Sequence, residues 1–143
     1  MPLQIIHQDI LEMPYWIPLV HCVSRCFTMS AGLAKDVKRL HGDKSNLLDY
    51  PKPYIGGLGV TQENGKTVIH MITKRLYYHR PTWGKLESSM RNLRNCEVRH
   101  IREISMPYNV ACGLDQLQWP DVYDLILELF LHSQITVYIF KLH

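Results

Sequence analysis

Strand-like and helix-like segments alternate along nearly the whole chain, and this alternation constrains the fold more than any other feature. Short apolar runs such as LQII at residues 3–6 and LVHCV at 19–23 predict strands, whereas apolar residues at helical spacing predict helices. The segments follow the order β-β-α-β-β-α-β-α-β. This order favours a mixed sheet with helices on both faces. We therefore predict an α/β fold and a single domain over residues 1–143.

Three helices are expected from their end signals and their apolar stripes. Gly42 is placed to end the first helix, Thr82 to cap the second, and Pro120 to occupy the first turn of the third. The stripes that would face the core are Leu33, Ala34, Val37 and Leu40 in the first helix, Trp83, Leu86, Met90 and Leu93 in the second, and Val122, Leu125, Ile126 and Leu129 in the third. Between the first two helices, LGVTQENGKTVIHMIT predicts a hairpin that turns at Asn64-Gly65.

The composition is ordinary for a globular protein and argues against several classes. Apolar residues make up 46% of the chain, charged residues 20%, and the net charge of +3 does not by itself indicate a nucleic-acid partner. No apolar run reaches the roughly 18 residues of a membrane span, and no signal peptide is apparent, so we expect no membrane association. The four cysteines form no CxxC pair, so neither a zinc site nor a disulfide framework is expected. We expect reduced thiols, no metal or other cofactor, and a monomer in the nucleus or cytoplasm.

Polar or glycine-bearing stretches follow four of the predicted strands. Gln8-Asp9-Ile10 follows the first strand, residues 21–24 end the second, Thr73-Lys74 ends the strand TVIHMIT, and CGLD at 112–115 follows ISMP. If these strands run parallel, all four stretches meet at one edge of the sheet. Two of the stretches precede helix N-termini, whose N–H groups and positive potential together could hold a diphosphate.

Each of these residues also has a purely structural interpretation. An Asp after a strand, such as Asp9, commonly caps a local turn, and His21 is more readily explained as a core histidine. Lys74 at the end of a strand would ordinarily extend into water, and Ala31-Gly32 would allow close helix packing. Cys112 is either a nucleophile or, more often, a small buried residue. The convergence of the stretches, and not any single residue, predicts a site.

Five motifs connect the chain to a known family: HCVS at 21–24, MSAGLA at 29–34, MITKRLYYHRPTW at 71–83, ISMP at 104–107 and CGLDQLQW at 112–119. On these motifs the chain resembles a macro domain, and specifically the terminal ADP-ribose protein glycohydrolase branch of that superfamily. The resemblance extends from Asp9 to Phe140. The pairing of an Ile-Thr-Lys strand end with Cys-Gly-Leu-Asp is its most specific part.

The resemblance implies a three-layer α/β/α fold that binds ADP-ribose along the strand ends and removes mono-ADP-ribose from acidic side chains of modified proteins. It implies Lys74 as the nucleophile and Asp115 as the catalytic carboxylate. By position, it implies substrate contacts at Asp9, Ile10, His21, Ser24, Met29, Ser30, Ala31, Gly32, Leu33, Tyr108, Asn109, Val110, Ala111, Cys112, Gly113, Leu114 and Phe140. The implied partners are ADP-ribose and mono-ADP-ribosylated proteins, with ADP-ribosylated nucleic acid as a further candidate.

The two implied catalytic residue types suit this reaction. Ring opening exposes an aldehyde at the anomeric carbon of ADP-ribose, and the neutral amine of Lys74 can attack it to form a Schiff base. Asp115 would accept the proton and then act as acid or base when the intermediate is hydrolysed.

Two loops depart from the family pattern. The family usually has Met-Gly-Ala-Gly where this chain has Met29-Ser30-Ala31-Gly32, and Arg-Ile-Gly where it has Tyr108-Asn109-Val110-Ala111. Glycine lets the backbone approach a phosphate or adopt a positive φ, so its loss is expected to affect affinity more than chemistry.

Two other functions compete with hydrolysis. The protein would be a reader if the altered loops bound ADP-ribose without turnover, although the Lys74–Asp115 pair favours the enzyme. Nucleic-acid binding is suggested by residues 74–102, which hold eight of the sixteen Lys and Arg residues against two acidic ones, interleaved with Tyr77, Tyr78 and Trp83. We expect Trp83 to lie on the core stripe, so a solvated helix face explains most of this run.

Overall fold

A computed structural model of the chain describes residues 3–29, 32–42, 54–63, 65–76, 78–95, 100–112 and 117–142. Its strands are β1 (Leu3–Ile6), β2 (Leu19–Ser24), β3 (Leu58–Glu63), β4 (Lys66–Lys74), β5 (Glu103–Pro107) and β6 (Thr136–Phe140). Its helices are α1 (Gly32–His41), α2 (Trp83–Arg94) and α3 (Trp119–Phe130), with a 3₁₀ helix at Ile10–Glu12. The predicted order of strands and α-helices is confirmed, and the 3₁₀ helix is an addition that the apolar pattern did not predict.

The strands of the described chain form one six-stranded sheet in the order β1-β6-β5-β2-β4-β3. The pairs β1–β6, β6–β5, β5–β2 and β2–β4 are all parallel. β3 runs antiparallel to β4 through the predicted hairpin, in which Glu63 pairs with Lys66 and Gly65 has a φ of 78°. The sheet is therefore mixed, as expected, and its five parallel strands all end at the same edge.

The sheet is covered by helices on both faces, because its strands are apolar on both. In β4, Ile69 and Met71 belong to the core packed by α2 and α3, whereas Val68 and Ile72 belong to the core packed by α1. This alternation follows the pleat of a strand that is buried on both sides. The helices contribute Leu86, Met90, Leu93, Val122, Leu125, Ile126 and Leu129 to one core and Val37 to the other. The predicted α/β class with three layers is confirmed.

The helix ends follow the predicted signals. The Thr82 hydroxyl accepts a hydrogen bond from the Lys85 N–H at 3.2 Å, which caps α2. Pro120 lies in the first turn of α3. Gly42 has a φ of 88° directly after α1, and its N–H donates to the Lys38 carbonyl at 3.2 Å. None of the described helices is long and apolar enough to cross a membrane.

Two residues of the predicted apolar stripes do not lie in the core. Trp83 is 40% exposed and Leu40 is 37% exposed. Both occupy a terminal turn of their helix, and the fully buried part of each stripe begins one turn further in, at Leu86 and at Val37. Helical spacing identifies the apolar face but not how far the opposing surface extends, so the prediction for these two side chains is wrong.

Candidate functional site

The carboxyl ends of the parallel strands bring the predicted polar stretches to one edge of the sheet. The residues found at or directly after these strand ends are Asp9 and Ile10 (β1), Ser24 (β2), Lys74 (β4), Tyr108 and Asn109 (β5) and Phe140 (β6). The predicted convergence is confirmed for the stretches that the structure describes. This is the edge at which open α/β sheets bind ligands.

A cleft of about 400 Å³ opens at this edge, between the ends of β1, β5 and β6. Its volume falls within the range of small-molecule sites. It is lined by Gln8, Asp9, Ile10, Leu33, Pro107, Tyr108, Asn109, Phe140, Lys141 and Leu142. Of the predicted substrate contacts, the structure thus brings together Asp9, Ile10, Leu33, Tyr108, Asn109 and Phe140.

Asp9 lines the cleft and also caps the short helix that follows it. Its Oδ1 accepts a hydrogen bond from the Leu11 N–H at 3.0 Å, and its extended backbone is that of an N-cap. The structural interpretation of Asp9 as a cap is therefore correct. It does not displace the functional one, because a carboxylate has about four acceptor positions and the cap uses one of them.

Lys74 lies at the same edge but outside the cleft. β2 separates β4 from β5, so the usual spacing of strands puts Lys74 roughly 10 Å from the end of β5. The backbone of Lys74 is fixed by its neighbour strand: its Cα partner is Ser24, and its carbonyl accepts from the Arg25 N–H at 2.7 Å.

The register between β2 and β4 slips just before Lys74. Val23 pairs with Ile72 and Ser24 with Lys74, so Thr73 is passed over. Irregularities of this kind locally redirect side chains and are common next to active sites. Thr73 is buried, and its Oγ1 has no hydrogen-bond partner within the described part of the chain.

The loop after β2 carries several predicted contacts in unusual backbone conformations. Ser24 is buried, and its Oγ lies 2.9 Å from the Cys26 Sγ. Met29 is buried at a φ of 48°, and Gly32 opens α1 at a φ of 61°. Positive φ is uncommon for a residue other than glycine, so this loop is held by its surroundings.

His21 lies in the interior of the sheet rather than at the cleft. It is 2% exposed, and its Nε2 lies 2.8 Å from the Nδ1 of His70, whose Nε2 lies 3.0 Å from the Thr61 Oγ1. Burial lowers the pKa of His21 to about 3, and burial together with the neighbouring His21 holds the pKa of His70 well below its usual range. Both imidazoles are therefore neutral at physiological pH. This placement favours the alternative that His21 is a core histidine.

The loop after β5 is also left-handed at two residues that are not glycine. Asn109 has a φ of 64° and Ala111 a φ of 66°. Val110 and Ala111 are buried in the core on the α2–α3 side, and the Cys112 Sγ lies 3.3 Å from the Val110 carbonyl. The side chains of Val110 and Ala111 are therefore core residues and not part of the cleft lining, and the Val110 N–H donates to the Pro107 carbonyl at 3.1 Å.

Lys141 is a cleft residue that sequence reasoning missed. Its Nζ lies 4.4 Å from the centre of the Tyr108 ring, which also packs against Trp119 at 4.8 Å between ring centres. Lys141 directly follows β6, so its place after the strand ITVYIF was an available signal. The cleft lining thus contains a cation as well as the Asp9 carboxylate.

Several predicted residues lie outside the described residues: Ser30, Ala31, Gly113, Leu114 and the implied catalytic Asp115. Within the described ranges, no group of three or more His, Cys, Asp or Glu side chains is arranged to hold a metal ion.

Two curated relatives of the chain are named for an activity. The chain is 33% identical over 135 residues to the ADP-ribose glycohydrolase OARD1 of Bos taurus and 32% identical to that of Homo sapiens, in each case over 94% of this chain and 88% of the relative. No protein-family model matches the chain.

Solved structures share the fold. The macrodomain of Mycobacterium tuberculosis DarG superposes with a TM-score of 0.80 at 19% identity, and that of Thermus aquaticus DarG with 0.76 at 21%, each over 97% of both chains. Thermosipho africanus DarTG in complex with ADP-ribose gives 0.76 at 18% identity, over 96% of this chain and 41% of that one. Fold and sequence agree: the chain belongs to the macro domains of the terminal ADP-ribose glycohydrolase type, which are hydrolases of ADP-ribosyl linkages.

Proposed function

We propose that this protein removes mono-ADP-ribose from acidic side chains of modified proteins, with Lys74 as nucleophile and Asp115 as acid and base. The observation that carries the proposal is the position of Lys74 at the same sheet edge as the cleft, fixed by backbone pairing to β2. The relatives named ADP-ribose glycohydrolase support the hydrolytic part of the proposal.

The distance between the cleft and Lys74 suits an elongated ligand. In this proposal the adenosine occupies the cleft, where Asp9 accepts a hydrogen bond and Phe140 offers an apolar wall. The distal ribose then lies across the ends of β5 and β2, near Lys74. In this proposal the loop at Asn109–Ala111 spans the region between the two, and the N–H groups of Asn109 and Ala111 would meet the diphosphate, whereas the Val110 N–H already donates to the Pro107 carbonyl at 3.1 Å.

The proposed reaction balances without a cofactor. The neutral Nζ of Lys74 forms a bond to the anomeric carbon while the bond from that carbon to the carboxyl oxygen breaks, and the carboxylate leaves with the electron pair. Asp115 accepts the proton from the nitrogen. The resulting glycosylamine opens to a Schiff base, and water hydrolyses the C–N bond, which releases ADP-ribose and restores the amine.

A release assay tests this function. The protein is incubated with a polypeptide that carries ADP-ribose on glutamate, and free ADP-ribose is measured over time, with calorimetric titration of ADP-ribose on the same preparation. We expect both binding and release. Binding without release would make the protein a reader, and absence of both would overturn the proposal.

The exposed aromatic residues after Lys74 favour nucleic acid as a second carrier of ADP-ribose. Tyr78 is 67% exposed and Trp83, which was expected in the core, is 40% exposed. Arg75 and Arg80 are exposed in the same segment. Exposed rings between cations are typical of surfaces that stack bases and contact phosphates.

Fluorescence anisotropy with a labelled single-stranded oligonucleotide tests this candidate. Replacing Tyr78 and Trp83 by Ala should weaken binding, because stacking contributes about 1–3 kcal/mol per base. Tyr15 and Trp16 form another exposed aromatic pair elsewhere, so their replacement by Ala is the matched control. Equal effects of the two double substitutions would exclude a specific strand-binding surface.

A further inference from the structure

The buried pair His21–His70 is part of a hydrogen-bonded network that spans three neighbouring strands. His21 of β2 and His70 of β4 are register partners, and the chain of hydrogen bonds continues to Thr61 of β3. All three side chains are buried, and each has a polar partner within 3.0 Å. A buried polar group is costly unless it is satisfied, so a complete network of this kind fixes one arrangement of its members.

The network also touches the loop that follows β2. The Phe27 ring packs edge-on against His70, with 5.3 Å between ring centres and 66° between planes. Phe27 is buried at a φ of 54°, a left-handed conformation that a bulky side chain rarely adopts. Such a conformation persists only where the surrounding structure holds it. The His70 ring is one of the groups in that surrounding structure.

The same loop joins the network to the cleft. Phe27 and Met29 belong to one packed cluster with Ile10 and Phe140, which line the cleft. Leu33, in the first turn of α1, packs on this cluster and also lines the cleft. The conformation of Phe27 therefore bears on the position of the cleft wall.

We propose that His21 and His70 are positioning residues that hold Phe27, and with it the cleft residue Leu33 that packs on the same cluster, in the arrangement that binds ADP-ribose. The ligand part of this inference rests on the proposed function. Neither histidine lines the cleft, and Phe27 and Leu33 lie outside β4, the strand that carries Lys74. Loss of the contact should therefore raise KM and leave kcat nearly unchanged.

Phe27→Leu tests the contact, with Phe130→Leu as the matched control. Both residues are buried phenylalanines, but Phe130 lies in the core on the other face of the sheet. We expect Phe27→Leu to raise the Kd for ADP-ribose and the KM by about tenfold. The surrounding structure holds a strained backbone conformation at Phe27, and losing that support would free an energy of the size that a tenfold change represents. Phe130→Leu should change both by less than about twofold. Equal changes in the two variants would overturn the inference.

Hydrogen exchange in the ligand-free protein tests the histidine directly. The Phe27 N–H donates to the Ser24 carbonyl at 3.0 Å, so its exchange rate reports the loop conformation. His70→Asn retains a polar partner for His21 but removes the ring that Phe27 packs against. Exchange at Phe27 should become at least about tenfold faster in this variant, relative to the Asn95 amide, which is bonded at the far end of α2.

The outcomes separate the two proposals. A wild-type protein that does not bind ADP-ribose would remove the proposed function and the ligand part of this inference together. A wild-type protein that binds, with unchanged Kd in Phe27→Leu, would remove this inference alone. Unchanged exchange at Phe27 in His70→Asn would show that the histidine pair only joins the strands. If that variant does not fold, the Kd for ADP-ribose and the KM of Phe27→Leu decide whether the inference holds.

Discussion

Ser24 and Lys74 lie side by side at the ends of β2 and β4, one residue beyond the slip in register between these strands. Adjacent strands are about 4.8 Å apart, and the Arg25 N–H closes the pairing on the Lys74 carbonyl at 2.7 Å. The proposed nucleophile is therefore held by the sheet and not by a mobile loop. Sites built on strands keep tighter geometry than sites built on loops, which suits covalent catalysis.

Lys74→Ala should abolish ADP-ribose release and leave ADP-ribose binding within about twofold, because Lys74 lies outside the cleft. Release is measured from a glutamate-linked substrate and binding by calorimetry. Lys85→Ala removes an exposed lysine of α2 and is the control for loss of charge. Wild-type turnover in Lys74→Ala would rule out the covalent route and favour direct attack by water.

Asp115→Ala should slow release by about 10²–10⁴-fold, the usual contribution of general acid–base catalysis. If the carboxylate is needed more for hydrolysis than for attack, an ADP-ribose adduct accumulates on the Lys74 peptide, which mass spectrometry detects. Turnover equal to that of the wild type would exclude Asp115 as the acid and base. Asp121→Ala, in the first turn of α3, is a control for removing a nearby acidic residue.

Substitutions of Asp9 should separate its two roles. Asp9→Ala removes both, so the free energy of unfolding should fall by about 0.5–2 kcal/mol and ADP-ribose binding should weaken by about 1.5–3 kcal/mol. Asp9→Asn keeps a side chain that caps a helix equally well, so stability should be retained while binding weakens by about 1 kcal/mol. Thermal unfolding and calorimetry measure the two effects. Unchanged affinity in both variants would leave Asp9 as a cap alone.

Ala111→Gly should stabilise the protein. Ala111 has a φ of 66°, which costs a residue with a Cβ about 1–2 kcal/mol, and the greater freedom of unfolded glycine offsets about 0.5–1 kcal/mol of this gain. We expect a net gain of up to about 1.5 kcal/mol in urea unfolding. Asn109→Gly is the comparison, because Asn tolerates a left-handed backbone better and should gain less. A loss of stability in Ala111→Gly would mean that the buried methyl group contributes more than the strain.

The same position tests the altered loop. Replacing Tyr108-Asn109-Val110-Ala111 by Arg-Ile-Gly should tighten ADP-ribose binding if the extra residue and the missing glycine weaken contacts to the diphosphate. Calorimetry on the folded variant measures this. Equal or weaker affinity would show that the left-handed Asn109 and Ala111 already give a working loop.

Acid should destabilise the protein through its buried histidines. The pKa of His21 is lowered from 6.5 to about 3 by burial, so below pH 6.5 the unfolded chain binds a proton that the folded chain does not. The free energy of unfolding should therefore fall with falling pH, by up to about 1.4 kcal/mol per pH unit for each such histidine. The clearest window is about pH 6.5 to 5, above the usual range of carboxyl groups.

Urea unfolding across this window measures the slope. His70→Asn should give a shallower slope than the wild type, because one of the two buried imidazoles is gone. His132→Gln, which removes an exposed histidine beside α3, should keep the wild-type slope. Equal slopes in all three proteins would contradict neutral burial of the pair.

The sequence predicted the elements and the sheet edge better than the local geometry. Alternation and helical spacing depend on which residues are buried, so they located β4, α2 and α3 and placed Lys74 at a strand end. The position of a side chain at the margin of the core depends on how far the opposing layer reaches, and for this reason Trp83 was misplaced.

The hydrogen-bond partners of the buried polar residues could not be predicted from the sequence, for a similar reason. His21 and His70 are 49 positions apart and meet only because β2 and β4 are neighbours in the sheet. Likewise, the cleft depends on Asp9 and Lys141 coming together from β1 and β6. The order of the strands in the sheet decides which of these residues come into contact. In the sequence, only the resemblance to macro domains indicated that order.

The pairing of β1 with β6 sets the time at which the binding site can form. In the described sheet β1 is an edge strand with Leu3 opposite Val137, so its described partner is absent until the ribosome has made residues 136–140. Contacts between such distant positions slow folding. Because Ile10 and Phe140 both line the cleft beside this pair of strands, the cleft cannot take its described form on a nascent chain before β6 has left the ribosome.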